Sequence, residues 1–401
     1  MFPAMPLIIQ TPYDQTTIML IEKIDIYKLP PRWVFIKLTT KSGITGWGEP
    51  AVEGKSDSVI AAVRDLAPLL IGKDASQIED LFQVMTKGGF YRGGIIMMSA
   101  ISGIEQALWD IKGKSLGVPV YQLLGGAVRD KMRIYSWIGG DNSEELAFGA
   151  QNRIDYGFTA VKMNLCGQLD FHVSLKKIKE IKNNIQKVRE VIGEENDFAI
   201  DFHGRVHKSL AKRFMLELEE FSPMFYEEPV LPEFSFYFNN LSSVSSIPLA
   251  GGERLVGRSQ FRDIIYHCAL DVLQPDLSHV GGILEAKKIA ASAETSGILM
   301  APHCPLGPIS FAAALQFDFC THNVLIQETS LGIHYNQGEI DLLSYIENKE
   351  DFRIQSGFIY RTEKPGLGVE INEAIIEEMS KIKHNWSNPV WRNPDGSFTE
   401  W

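Results

Sequence analysis

Apolar residues in the second half of the chain gather into eight short runs, at 133–138, 159–163, 198–201, 224–228, 247–253, 271–276, 298–303 and 324–328. Runs of this length, separated by stretches with helical spacing, predict buried strands alternating with helices, and hence a parallel sheet. The last six close on a polar residue: Asp201, Glu227, Glu253, Asp276, His303 and Glu328, at intervals of 23 to 27 residues. Such an interval holds a loop, a helix and a returning strand. Eight of these units predict a β/α barrel, in which polar strand ends converge on one mouth.

The first third of the chain has a different rhythm. Segments 20–29, 33–40 and 43–50 read as three strands joined by Pro30-Pro31 and Ser42-Gly43 turns, forming a small antiparallel sheet. Helical spacing follows, with Val59, Ile60, Val63, Leu66, Ala67 and Leu70 on one face, then 78–85 and 97–116. The expected fold is α/β: a modified TIM (β/α) barrel with an α+β capping domain built from the N-terminal region and the C-terminal tail. The expected divisions are an arm at 1–18, a cap at 19–128, a barrel at 129–335 and a returning segment at 336–401. In that tail, 352–361 and the helix-like 371–379 are expected to return to the cap. Loops 51–55 and 88–94, the second carrying Phe90, Tyr91 and Arg92, are lid candidates.

With 401 residues, 45% of them hydrophobic, the chain can fill one large core and a second domain. Its net charge of −11 is spread without basic runs, which argues against nucleic acid or an anionic membrane surface as partner. Apolar runs fall short of the length that spans a membrane, and the first 18 residues lack a basic start followed by a hydrophobic core. Cys166, Cys268, Cys304 and Cys320 show no pairing pattern or CxxC spacing, as expected in a reducing, cytoplasmic setting.

Asp201, Glu227 and Glu253 would sit on three successive strand ends. Three carboxylates that close repel one another, so a hard cation would stabilise them, and an all-oxygen set favours Mg²⁺, one per subunit. His303 and Asp276 end neighbouring strands, where the carboxylate can accept the imidazole's outer N–H and raise its basicity, the arrangement of a general base. His203, sharing a strand end with Asp201, can protonate a leaving group from the opposite side. Glu328 closes the strand next to His303, where a protonated carboxyl can donate to a developing oxyanion. Lys162 and Asn164 end the second strand as substrate-binding candidates; an asparagine there cannot be a base. Trp47, Phe90 and Tyr91 are candidate pocket walls. His207, His267, His279 and His334 fit structural or supporting roles, and Gly366-Leu367-Gly368 reads as a turn because it lacks the strand and helix context of a phosphate loop.

These motifs bring a resemblance with them. The strings Asp201-Phe-His-Gly-Arg-Val-His-Lys208, Phe225-Tyr-Glu-Glu-Pro229, Gly252-Glu-Arg254, Gln274-Pro-Asp276, His303-Cys-Pro-Leu-Gly-Pro308 and Leu331-Gly-Ile-His-Tyr-Asn336 resemble the mandelate-racemase-like branch of the enolase superfamily. So do Gly46-Trp-Gly-Glu-Pro50, Gly89-Phe-Tyr-Arg-Gly-Gly94 and Ala107-Leu-Trp-Asp-Ile-Lys-Gly113. The resemblance implies Asp201, Glu227 and Glu253 as magnesium ligands, His303 with Asp276 as base, His203 as acid and Glu328 as stabiliser of the intermediate. It implies a magnesium-dependent hydro-lyase acting on a small sugar acid, galactonate ahead of altronate, gluconate or rhamnonate, in a homo-oligomer. A catalytically silent protein that binds metal and sugar acid is the alternative. Arm 1–18 and the stretch 165–173 match nothing in the family pattern.

Overall fold

The computed structural model describes residues 19–333, 340 and 342–401; the N-terminal arm and His334 lie outside the described residues. Strands β1 (Ile21–Leu29), β2 (Trp33–Thr40) and β3 (Thr45–Gly48) form an antiparallel sheet in that order. Three helices pack with it: α1 (Ser56–Leu70), α2 (Ile78–Lys87) and α3 (Ile95–Leu116). α3 is buried on nearly every side. β3 can lie directly against it because glycine meets glycine: a Cβ on Gly48 would collide with the Gly103 carbonyl.

The barrel is a ring of parallel strands: β4 (Lys131–Ile138), β5 (Ala160–Asn164), β6 (Asp197–Asp201), β7 (Tyr226–Glu227), β8 (Leu249–Gly251), β9 (Val272–Leu273), β10 (Leu299–Met300) and β11 (Gln327–Thr329). Each pairs with its successor from β4 to β10, and β11 returns to pair with β4. A parallel bridge between Met300 and Val324 joins β10 to the run entering β11, with Leu325 N–H donating to Met300 O at 2.8 Å. One side chain from each of the eight runs fills the interior: Tyr135, Ala160, Ala199, Phe225, Ala250, Val272, Ala301 and Ile326. The alanines leave room for Tyr135 and Phe225, whose rings meet edge to face at 6.2 Å. The lumen is therefore packed, and chemistry is confined to the mouth.

The later strands are shorter than their apolar runs suggest. β8 stops at Gly251, β9 at Leu273 and β10 at Met300, so Glu253, Asp276 and His303 stand just past the paired backbone. Their positions depend on the loops that carry them, and the cap fixes the loops after β9 and β10. Polar side chains recur along one face of α3 at helical spacing, and each bonds the segment after β9. Ser99 Oγ meets His279 Nδ1 at 2.9 Å, Gly281 N–H donates to Ser102 Oγ at 2.9 Å, and Gln106 Nε2 donates to Ser278 Oγ at 3.0 Å. Glu105 accepts from Ile283 and Leu284 N–H, at 2.8 and 2.9 Å, at the start of the helix Ile283–Glu294. Just past β3, Glu49 does the same for the helix Pro308–Phe319, accepting from Gly307 and Ser310 N–H at 2.6 and 3.0 Å. Burial pushes the carboxyls of both Glu49 and Glu105 up to about 7, against the pull of these N–H donors.

Removing Glu49 would strand two buried N–H groups at a helix start. Glu49→Ala is expected to cost about 2 to 3 kcal/mol of stability, read as a lower urea midpoint with an unchanged slope.

The tail divides its contacts. Tyr345 packs against Trp33 and Phe35 and donates to Pro30 O at 2.6 Å, and Glu373 pairs with Lys37 at 2.7 Å, so these parts do return to the cap. The 352–361 stretch differs from expectation: its strand β12 (Phe358–Tyr360) pairs antiparallel with the first residues of β4, whose outer end extends past its pairing with β11 and leaves an edge to fill. Farther on, β13 (Trp391–Arg392) and β14 (Phe398–Thr399) form a hairpin seated on the 165–173 stretch. Gln168 Nε2 donates to Arg392 O at 2.6 Å and Thr399 Oγ1 to Leu169 O at 3.3 Å. Gly366 and Gly368 are turn residues with positive φ, and all four cysteines are free. Among the described residues no helix is long and apolar enough to cross a membrane.

Candidate active site

A cavity of about 660 Å³ opens at the mouth of the barrel, beneath the cap. Lys162, Asn164, Asp201, His203, Glu253, His303 and Glu328 all line it. Asp201 ends β6 and lies opposite Glu227 of β7 in the strand register. His203 follows on a tight turn with φ of 53°, continued by Gly204 at 63°. A Cβ on Gly204 would press on the Arg254 guanidinium, 2.6 Å from Nη2, so this left-handed turn suits glycine. The turn folds His203 back on Asp201: its N–H donates to Oδ1 at 2.6 Å and its Nδ1 lies 3.2 Å from Oδ2.

On the far side, His303 Nδ1 stands 2.8 Å from Asp276 Oδ2, and its Nε2 lies 3.6 Å from Glu253 Oε2. Asp276 is held in turn by Ser278 N–H at 2.7 Å. Burial alone would lower the affinity of the His303 ring for a proton. The charges of Glu253 and Glu328 and the bond to Asp276 outweigh it and push the imidazole up to about 10.

Lys162 Nζ lies between Glu227, at 2.5 Å, and Glu328, at 2.9 Å, with Gln274 Nε2 donating to the other Glu227 oxygen at 2.8 Å. Burial works against the ammonium form, but these two carboxylates hold Lys162 protonated, well above its usual range. Burial also raises Glu227 far above the ordinary carboxylate range; Lys162 opposes this, and the charges of Asp201, Glu253 and Glu328 reinforce it. Glu253 moves the other way: burial would raise it, and His303 draws it down to about 2. Glu328 also accepts from Cys304 N–H at 3.2 Å. Asn164 Oδ1 accepts from Trp137 Nε1 at 3.2 Å.

Among the described residues no three His, Cys, Asp or Glu side chains converge closely enough to hold an ion as they stand. Asp201 leans on His203, Glu227 on Lys162 and Gln274, and Glu253 on His303. The donor set still fits a hard divalent cation. It offers oxygen alone, carries three buried carboxylates at successive strand ends, and is electrostatically crowded at Glu227.

The three expected wall residues lie elsewhere. Trp47 is buried in the cap, 4% exposed, with Tyr27 against its ring at 5.8 Å and its backbone N–H donating to Asp110, because β3 is the strand laid on α3. Tyr91 and Phe90 project into solvent from a glycine-flanked loop, 93% and 91% exposed, with their rings edge to face at 5.2 Å, and neither lines the cavity. The 51–55 loop does reach it, through Val52 and Glu53. Sequence reasoning missed Arg32, Arg205, Arg254, Trp386, Asn388 and Trp401 as lining residues. One signal was available for the tail: three of the seven tryptophans fall between 386 and 401, in a stretch with no apolar periodicity to bury them.

Residues 30–125 match the family model of the mandelate racemase/muconate lactonizing enzyme N-terminal domain, and residues 145–375 that of the enolase C-terminal domain-like family. D-galactonate dehydratase of Pectobacterium atrosepticum is 50% identical over 383 residues, covering 96% of this chain and 100% of that protein. Two solved structures are similar at 30% identity and a TM-score of 0.85. One is an enolase from Agrobacterium radiobacter with sodium and L-malate bound, covering 95% of this chain and 100% of its own. The other is a mandelate racemase/muconate lactonizing enzyme-like protein from Roseovarius sp. TM1035, covering 94% and 99%. The chain belongs to the enolase superfamily, in its mandelate racemase/muconate lactonizing enzyme branch.

Proposed function

We propose that this chain is a magnesium-dependent hydro-lyase that removes water from D-galactonate to give 2-dehydro-3-deoxy-D-galactonate. One observation carries the reading: His203 and His303 follow the third and seventh strands of an eight-strand ring, diametrically opposed, and face one cavity. A base and an acid on opposite sides of a bound substrate are what an elimination needs. The name of the relative from Pectobacterium atrosepticum supports the substrate.

Asp201, Glu227 and Glu253 are the residues that would hold Mg²⁺, whose charge, when bound, draws electron density from the substrate carboxylate and makes the C2 hydrogen acidic. His303, oriented through Nδ1 by Asp276, takes that proton at Nε2. Glu253 is the strongest of the influences that raise the ring's proton affinity, so neutralising its charge returns His303 toward the neutral form a base requires. The C2–H electron pair first passes onto the substrate carboxylate; in a second step it forms the C2–C3 double bond as the C3–O bond breaks, and His203 protonates the departing oxygen so that it leaves as water. Glu328, braced by Lys162 and Cys304 N–H, in its protonated form stabilises the charge that develops on the substrate carboxylate by donating a hydrogen bond to it. Lys162 and Asn164 bind and orient the substrate at the cavity floor. The enol released tautomerises, and C3 gains a proton from solvent.

The test is a panel of galactonate, altronate, gluconate and rhamnonate with Mg²⁺, assayed for keto acid. D-galactonate is expected to lead by about tenfold or more in kcat/KM. Preference for another member would reassign the substrate, and inactivity on all would leave a binding protein.

Glu227→Gln removes one charged oxygen while keeping the side chain's shape. It is expected to weaken Mg²⁺ binding by roughly tenfold or more, measured by titration calorimetry, with activity falling in parallel. Unchanged magnesium affinity would take Glu227 out of the ligand set.

A further inference from the structure

The C-terminal segment crosses the cavity mouth between the two histidines. The Trp401 ring stands edge to face with His203, centroids 5.7 Å apart at 86°. Trp386 lies 6.3 Å from Trp401 and carries the Arg32 guanidinium over its face at 4.9 Å. Arg32 Nη2 in turn donates to Pro305 O at 3.1 Å, on the His303 loop, and pairs with Glu53 at 2.6 Å. A row of groups in contact thus runs from His203 to the loop that carries the opposing histidine.

Nothing on the barrel side does the same for His203. Among the described residues its polar contacts are to Asp201 alone, one of them through the backbone. The side chain follows a left-handed turn and is 29% exposed even with Trp401 in place. The tryptophan is itself anchored through the hairpin, which bonds Gln168 and Leu169 and lays Trp391 under Arg205 at 4.9 Å. The 165–173 stretch, unmatched in sequence, is the platform for this segment.

We propose that Trp401 is a positioning residue for His203, holding the imidazole at the C3 side of the substrate, with Trp386 linking it to the cap. The proposal rests on the reading of His203 as the acid. Removing the ring frees the imidazole to swing away from the leaving oxygen and admits water beside it. Misplacement of a reacting group by about 1 Å costs on the order of 10²-fold. The step that His203 serves suffers, and proton abstraction on the other side does not.

The experiment compares Trp401→Ala and Trp401→Phe with the parent protein, and runs His203→Asn beside them, with magnesium and D-galactonate in D₂O. Keto-acid formation and exchange of the C2 hydrogen are followed together by proton NMR. In Trp401→Ala, kcat for keto acid is expected to fall by about 10- to 100-fold, while C2 exchange and KM change by less than about threefold; Trp401→Phe should restore most of the loss. A parallel fall of exchange and dehydration would assign the segment a general structural role, and wild-type rates for both would remove Trp401 from the account; either result overturns the proposal. If His203→Asn itself still forms keto acid normally, the acid assignment has failed and the proposal falls with it. A thermal melt separates unfolding from these outcomes, and Trp401→Phe keeps the test decisive if the alanine variant does not fold.

Discussion

His303→Asn is expected to stop the reaction at its first step, with both C2 exchange and keto-acid formation reduced by about 10²- to 10⁴-fold. Asparagine keeps roughly the size of the side chain and can still meet Asp276, but it has no nitrogen able to take a proton. His303 also stands 3.6 Å from Glu253, so the variant's magnesium affinity should be measured alongside to separate loss of the base from loss of the metal site. A variant that binds magnesium normally and still exchanges C2 hydrogen at near the parent rate would show that another group is the base.

The second large effect separates the two events. Hydroxide is a poor leaving group, and its expulsion needs a proton delivered as the C3–O bond breaks. His203→Asn is therefore expected to lower keto-acid formation by about 10²- to 10⁴-fold while leaving the fold intact and C2 exchange through His303 measurable. Proton NMR of substrate recovered from D₂O, paired with a keto-acid assay, reads both. Normal keto-acid formation would mean that a different group protonates the leaving oxygen.

The contrast between these variants depends on ring geometry that was legible before the fold was known. The period of strand-end residues at 201, 227, 253, 276, 303 and 328 reports one barrel repeat each, so it yields the order of groups around the mouth. It does not yield their height. Glu253, Asp276 and His303 belong to loops; those of Asp276 and His303 are fixed by the cap, and the bonds doing this join residues as far apart as Glu49 and Ser310. No local pattern encodes such contacts.

Lys162 shows a different limit. Its position at a strand end suggested substrate binding, and it does line the cavity, but its charge is also shared between Glu227 and Glu328, an arrangement that becomes visible only when three strands are brought together. Trp47 and Tyr91 fail as wall residues for opposite reasons, one packed inside the cap and the other held out in solvent. Trp386 and Trp401 were invisible to periodicity because they reach the site on a segment with little regular structure. Their partners, Arg32 and His203, are roughly half to nine-tenths of the chain away.

The most direct measurement of the central claim is proton NMR of D-galactonate incubated with the protein and Mg²⁺ in D₂O. The account predicts 2-dehydro-3-deoxy-D-galactonate carrying one solvent deuterium at C3, because the C2 hydrogen goes to His303 and the enol takes its new hydrogen from solvent. Keto acid without deuterium at C3, which would require the C2 hydrogen to migrate directly, or no keto acid at all from D-galactonate, would contradict it.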